Sequence, residues 1–292
     1  MRALLLLVLA ACSFDAPSST TTGDGGGGGG DGGTDSLIAP PADAAIDALD
    51  DLDDDDDGIA DLADNCPARA NPDQANEDSD LDGGDVCDRC PHLAAAQIDS
   101  DGDGIGNDCD PRPTLAGDQL VQFEGFNEPG APPTGWTALS NGGTWSVSGG
   151  ALRVTAGDTA AELVHAFASL GDHTVDARAT ILQQGSGIVS AAVLADVTTS
   201  PVHFYLCATR TDQAEAELWR YTNPNWTDFG AAGGGGGTDL RLLLRSAPAL
   251  QTCRINAAEL TTGSAPSGGN RIGVRARNMA VAFTSVAVYR SP

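Results

Sequence analysis

The stretch "HTVDARATI", residues 173–181, alternates from end to end. Val175, Ala177, Ala179 and Ile181 fall on one side, and Thr174, Asp176, Arg178 and Thr180 on the other. Successive strand side chains point to opposite faces, so a period of two marks a strand with one buried face. "LRLLLR" (240–245) repeats the pattern with Leu240, Leu242 and Leu244 inward. "RIGVRAR" (271–277) sets Ile272, Val274 and Ala276 against Arg271, Arg275 and Arg277. About a dozen such runs follow Asp118, divided by Gly/Asn/Asp/Pro turns such as Ser140-Asn141-Gly142-Gly143 and Ser148-Gly149-Gly150, with no long helical period. Half-buried antiparallel strands of this kind pack as two sheets, and the expected fold is a mostly β, antiparallel two-sheet sandwich of jelly-roll type over residues 118–292. Only this part of the chain is large enough to bury a sizeable core.

Charge divides the rest. The chain has 292 residues and a formal charge of -26. Residues 24–110 hold 26 acids and 2 arginines, hence -24, whereas residues 111–292 hold 14 acids and 12 arginines, hence -2. A nucleic-acid partner is not expected, because phosphate binding needs a basic patch. Composition then marks four parts: 1–12, an apolar leader; 13–49, a Gly/Ser/Thr/Pro-rich linker read as disordered; 50–113, the acidic segment; and 118–292, the β domain.

The leader, "MRALLLLVLAAC", has one positive residue, Arg2, and an apolar run from Ala3 to Ala11. That run is far short of the ~20 residues that span a bilayer and matches the apolar region of a secretory signal. "LAAC" resembles the lipobox of bacterial lipoproteins, which implies lipidation at Cys12. The seven cysteines support this reading, since an odd number in an exported chain needs an explanation and lipidation of Cys12 leaves six. The expected location is the bacterial cell envelope, at the outer membrane or cell surface, with the linker as a tether.

In the acidic segment the carboxylates are spaced as metal ligands. A calcium loop supplies oxygens from positions 1, 3, 5, 7, 9 and 12, with glycine at 6 for a sharp turn. Counting from Asp53, these are Asp53, Asp55, Asp57, the Ile59 carbonyl, Asp61 and Asp64, with Gly58 at 6. Counting from Asp99, they are Asp99, Asp101, Asp103, the Ile105 carbonyl, Asn107 and Asp110, with Gly104 at 6. A distorted middle site draws on Asp78, Asp80, Asp82, Asp85 and Asp88; there Gly83 falls correctly but Asp88 comes one place early. Proline follows both regular loops at once, so no EF-hand helix can form. The segment has too few apolar residues for a core, so its folding should be coupled to calcium. Magnesium wants a smaller octahedral shell, and the cysteines lack a tetrahedral zinc set.

"DDDDDGIADLADNCPARANPDQ" (53–74) and "DSDGDGIGNDCD" (99–110) resemble thrombospondin type 3 repeats. That resemblance covers about Asp53 to Pro111 and implies an irregular chain wound around calcium and pinned by disulfides between successive cysteines, Cys66–Cys87 and Cys90–Cys109. Cys207 and Cys253 sit in separate expected strands and are read as a third bridge. The β domain, through "FEGFN" (123–127), "GTWSVSGGALRV" (143–154) and the closing "NRIGVRARNMAVAFTSVAVY" (270–289), is similar to concanavalin-like, laminin-G-type jelly rolls.

Trp136 and Trp145 are read as core. In "LWRYTNPNWTDFG" (218–230), Trp219, Tyr221 and Trp226 are candidates either for packing or for stacking on sugars. The run Gly233–Gly237 lacks a following GK[ST] and is not a phosphate loop. Retaining glycosidases hold two carboxyls about 5 Å apart, and jelly-roll glycosidases often carry E-x-D-x-x-E on one strand. That pattern is absent here. Glu215 and Glu217 share a face, and His165, His173 and His203 have no evident nucleophile beside them. The sequence therefore points to a calcium-binding, lipid-anchored surface protein that is not an enzyme and that adheres to glycan, matrix or a cell-surface protein. The alternatives are an envelope spacer without a ligand and a secreted sugar-cleaving hydrolase.

Overall fold

The computed structural model describes residues 52–81, 83–95, 97–266 and 268–292. Cys12, the linker and Asp82 lie outside the described residues. Among the described residues there is no helix, and fifteen strands form two antiparallel sheets.

Sheet A joins, in order, β13 (Ala258–Thr262), β12 (Leu250–Ile255), β11 (Asp239–Ala247), β6 (Asp172–Gln184), β15 (Met279–Ser291), β4 (Leu152–Ala156) and β3 (Gly143–Val147). A further strand, β1 (Gln119–Glu124), pairs with the second half of β15. Sheet B joins β10 (Asn225–Gly233), β9 (Glu215–Thr222), β8 (Val202–Arg210), β7 (Ser190–Thr199), β14 (Arg271–Arg277), β5 (Ala161–Ala166) and β2 (Trp136–Ala138). Hairpins of consecutive strands alternate in both sheets with pairs that are distant in the chain, such as β6 with β15 and β7 with β14, as in a jelly roll.

The core lies between the sheets and follows the period of two. Val175, Ala177, Leu242, Leu244, Val286 and Val288 from sheet A meet Val193, Leu218, Ile272, Val274 and Ala276 from sheet B, all fully buried. Trp136 and Trp145 belong to this core. The Cys207–Cys253 disulfide links β8 to β12 and so fastens one sheet to the other.

The outer face of sheet A differs from the solvated face implied by alternation. Asp176 is fully buried there, because the acidic segment packs over it. His92 lies 3.1 Å from Asp176. Arg241 pairs with Asp176 and donates to the Asp108 carbonyl at 2.9 Å. Cys90, Ile105 and Cys109 form a small apolar cluster with Ala287 and Tyr289 of β15. The acidic segment and the sandwich thus fall within one compact unit.

Candidate functional site

The two regular acidic loops are built alike. Asp53 Oδ2 accepts from the Gly58 amide at 2.9 Å, and Asp99 Oδ2 from the Gly104 amide at 2.9 Å. The Ile59 amide donates to Asp57 Oδ1, and the Ile105 amide to Asp103 Oδ1. Gly58 and Gly104 have φ of 93° and 97°, a region that side chains disfavour, which explains glycine at position 6. These turns gather Asp53, Asp55 and Asp57 in one cluster and Asp99, Asp101 and Asp103 in another. Asp78, Asp80 and Asp88 form a third.

Other expected ligands carry hydrogen bonds of their own within the segment. Asp61 Oδ1 accepts from the Asp54 amide and Asn107 Oδ1 from the Ser100 amide, both at 2.9 Å, so the position 9 side chains tie the two ends of each loop. Asp85 Oδ1 accepts from the Glu77 amide at 2.8 Å. Asp64 Oδ1 accepts from the Cys66 amide and from Gln74. Ile105 has its side chain in the apolar cluster, and Ile59 is half-buried. The disulfides Cys66–Cys87 and Cys90–Cys109 close the segment.

Oxygen atoms test the fit to a cation. Asp55, Asp64, Asp78, Asp101 and Asp110 each bury one carboxylate oxygen, Oδ2, that receives no donor among the described residues. Burial first, and neighbouring carboxylates after it, raise the pKa of Asp55 and of Asp78. Buried carboxylate oxygens are normally hydrogen-bonded, and unpaired ones are costly. A hard cation with oxygen ligands, such as calcium, matches this donor set.

A second site lies on the outer face of sheet B. The β8–β9 register sets Trp219 opposite Leu206 and Tyr221 opposite Phe204, and β10 sets Trp226 opposite Tyr221. All therefore share one face. The Trp226 ring is 4.7 Å from Tyr221, 5.9 Å from Phe204 and 6.3 Å from Trp219, centroid to centroid. Trp226 is nevertheless 46% exposed. Two depressions of about 370 Å³ each flank it.

Charged groups cross the same face from β14 and β5. Arg275 is almost fully buried, pairs with Glu162 at 3.0 Å, donates to Ser190 Oγ at 3.1 Å, and holds its guanidinium 5.9 Å from the Trp226 ring centre. Such an approach is a weak cation–π contact. Glu217 takes a hydrogen bond from Trp219 Nε1 at 3.0 Å and faces Arg210 at 3.4 Å. Arg277 lines both depressions and donates to the Asp158 carbonyl at 3.0 Å. Aromatic faces, guanidinium groups and carboxylates thus line the two depressions on either side of Trp226.

Trp219, Tyr221 and Trp226 were legible from one short stretch. Arg275 and Arg277 were not singled out, although "RIGVRAR" already put them on one face. Glu162 and Phe204 had no local signal, since only the order of sheet B sets β5 and β8 in the same face as β9.

No protein-family model matches the chain, and no curated protein matches it in sequence. Solved structures resemble the sandwich. The carbohydrate-binding module CBM66 of Bacillus subtilis matches with a TM-score of 0.47 at 15% identity, over 55% of this chain and 98% of that one. A Bacillus licheniformis β-glucanase matches with a TM-score of 0.46 at 13% identity, over 59% and 98%. An endo-β-galactosidase from Clostridium perfringens that releases GlcNAcα1-4Gal matches with a TM-score of 0.47 at 11% identity, over 60% and 63%. The similar structures include glycoside hydrolases as well as a binding module. The expectation that the chain is not an enzyme is therefore not upheld, since glycoside hydrolases stand among these solved structures.

Proposed function

We propose that this chain is an exported, lipid-anchored envelope protein that binds calcium through its acidic segment and glycan through the outer face of sheet B. The observation that carries the glycan reading is the convergence of Trp219, Tyr221 and Trp226 on one face, with Trp226 left half-exposed between two depressions. Aromatic rings present a flat apolar surface with polar edges, which suits the apolar face of a sugar ring. Open grooves with a few fixed polar groups are the usual form of a ligand site. The calcium reading is supported by the clustered aspartates and their buried, donor-less oxygens. The lipid anchor is supported by "LAAC" at residues 9–12.

Glycan-array binding by the full chain tests the glycan reading. Trp226→Ala should lower affinity about tenfold, equivalent to about 1.4 kcal/mol, and Trp219→Ala should also weaken it. Absence of binding by the wild-type chain, or identical affinity in both variants, refutes it.

A second reading is cleavage of the bound glycan, with a carboxylate lining each depression, Glu162 in one and Glu217 in the other. Turnover of the array ligands, lost in both Glu162→Gln and Glu217→Gln, would establish that reading. Binding without turnover would leave recognition as the function.

A further inference from the structure

Asp118 is the last residue before β1, where the acidic segment enters the sandwich. It was not among the ligands expected from spacing. In the structure Asp103, Asp110 and Asp118 each place a carboxylate oxygen within 4.8 Å of the others. The chain folds back to make this approach: the amides of Gly117 and Asp118 both donate to Asp103 Oδ2, at 3.0 and 2.8 Å.

Comparison of the three repeats shows what is unusual. Asp64, Asp88 and Asp110 are equivalent, each accepting with Oδ1 from the amide two residues on, at 2.7 Å in every case. In the first two repeats a glutamine amide also donates to that carboxylate, Gln74 to Asp64 and Gln97 to Asp88. In the third, among the described residues, no glutamine reaches Asp110. Its neighbour is the Asp118 carboxylate. Where the first two repeats bring a neutral donor, the third brings a second carboxylate, an arrangement that a cation can bridge.

A separate observation points the same way. Asp110 is 9% exposed, and its Oδ2 receives no donor among the described residues. One guanidinium, Arg112, lies on Asp118 at 3.1 Å. Ionised together, three carboxylates against one arginine leave two negative charges in a largely buried cluster, which a further cation would offset. Asp118 is meanwhile held in place, because Ser291 Oγ at the end of β15 donates to it.

We propose that Asp118, with Asp103 and Asp110, forms a calcium site that ties the last acidic repeat to the first and last strands of the sandwich. The inference rests on the reading that the acidic segment binds calcium. All three side chains supply hard oxygen donors, which suits calcium better than softer metals. A cation there would bind the folded junction and not the unfolded chain, and so stabilise the sandwich as well as the repeats.

The test is calorimetric calcium titration of the full chain, with thermal unfolding in calcium and in chelator. Asp118→Asn keeps the shape and removes the charge; it should bind one calcium fewer and show a smaller calcium-induced rise in Tm. Arg112→Gln removes the ion pair but keeps the ligand; it should lower Tm in chelator and retain the full number of calcium ions. If Asp118→Asn fails to fold, Ser291→Ala, which leaves the carboxylate but frees it, should weaken one site several-fold. Unchanged number and affinity in Asp118→Asn, or in Ser291→Ala where that variant is used, overturns this assignment alone. No calcium binding by the wild-type chain overturns the calcium reading and this site together.

Discussion

The His92 ring nitrogen Nε2 lies 3.1 Å from the Asp176 carboxylate, and both side chains are fully buried. His92 belongs to the acidic segment and Asp176 to the centre of sheet A, so this contact, with Arg241 on the same carboxylate, fastens the two parts of the chain. Burial alone would raise the Asp176 pKa; the facing His92 and Arg241 outweigh it and hold it at about 2.

Asp176→Asn should therefore destabilise the protein by about 3 kcal/mol at neutral pH, because it leaves the largely buried Arg241 guanidinium without its counter-charge. A carboxylate depressed in the folded state contributes stability above its unfolded value of about 3.9, and that contribution is lost as pH falls toward 2. The gap between wild type and variant, measured by urea unfolding, should close over that window. A gap independent of pH down to 2 would show that the charge is not what matters.

The Cys207–Cys253 bridge spans 46 residues and joins the two sheets. In the loop-entropy description a closure of this length contributes about 4 kcal/mol. The double variant Cys207→Ala/Cys253→Ala should lose stability of that order while retaining its β circular dichroism. A loss below ~1 kcal/mol would mean that packing alone holds the sheets together.

Asp53, Asp55 and Asp57 are partly buried and turned together, whereas Asp54 and Asp56 are exposed. Asp55→Asn/Asp57→Asn should weaken one calcium site about tenfold or more, since ligand charge sets affinity. Asp54→Asn/Asp56→Asn removes the same charge and should change it little. Calorimetric titration compares them, and equal losses would reduce the stretch to a nonspecific acidic tract.

If the chain is anchored through Cys12, Cys12→Ser expressed in a bacterial host should move it from the detergent phase to the aqueous phase. An unchanged partition would remove the anchor from the proposal.

What the sequence by itself determined is what depends on near neighbours. Alternation in 173–181, 240–245 and 271–277 specified strands and their buried faces, because side-chain direction along a strand is local. The acidic loops were legible for the same reason: Asp53, Asp55, Asp57 and Gly58 meet within one turn. Trp219, Tyr221 and Trp226 could be grouped because a two-strand hairpin brings them together.

Tertiary structure alone decided the rest. Glu162, Phe204 and Arg275 reach one depression from strands far apart in the chain, and only the order of sheet B makes them neighbours. Asp176 looked like a solvent-facing residue until the acidic segment covered it. Asp118 stands eight residues beyond Asp110 and is aimed by Ser291, 173 residues further on. Such contacts arise from how sheets and segments dock over one another, and no period within the chain encodes that docking.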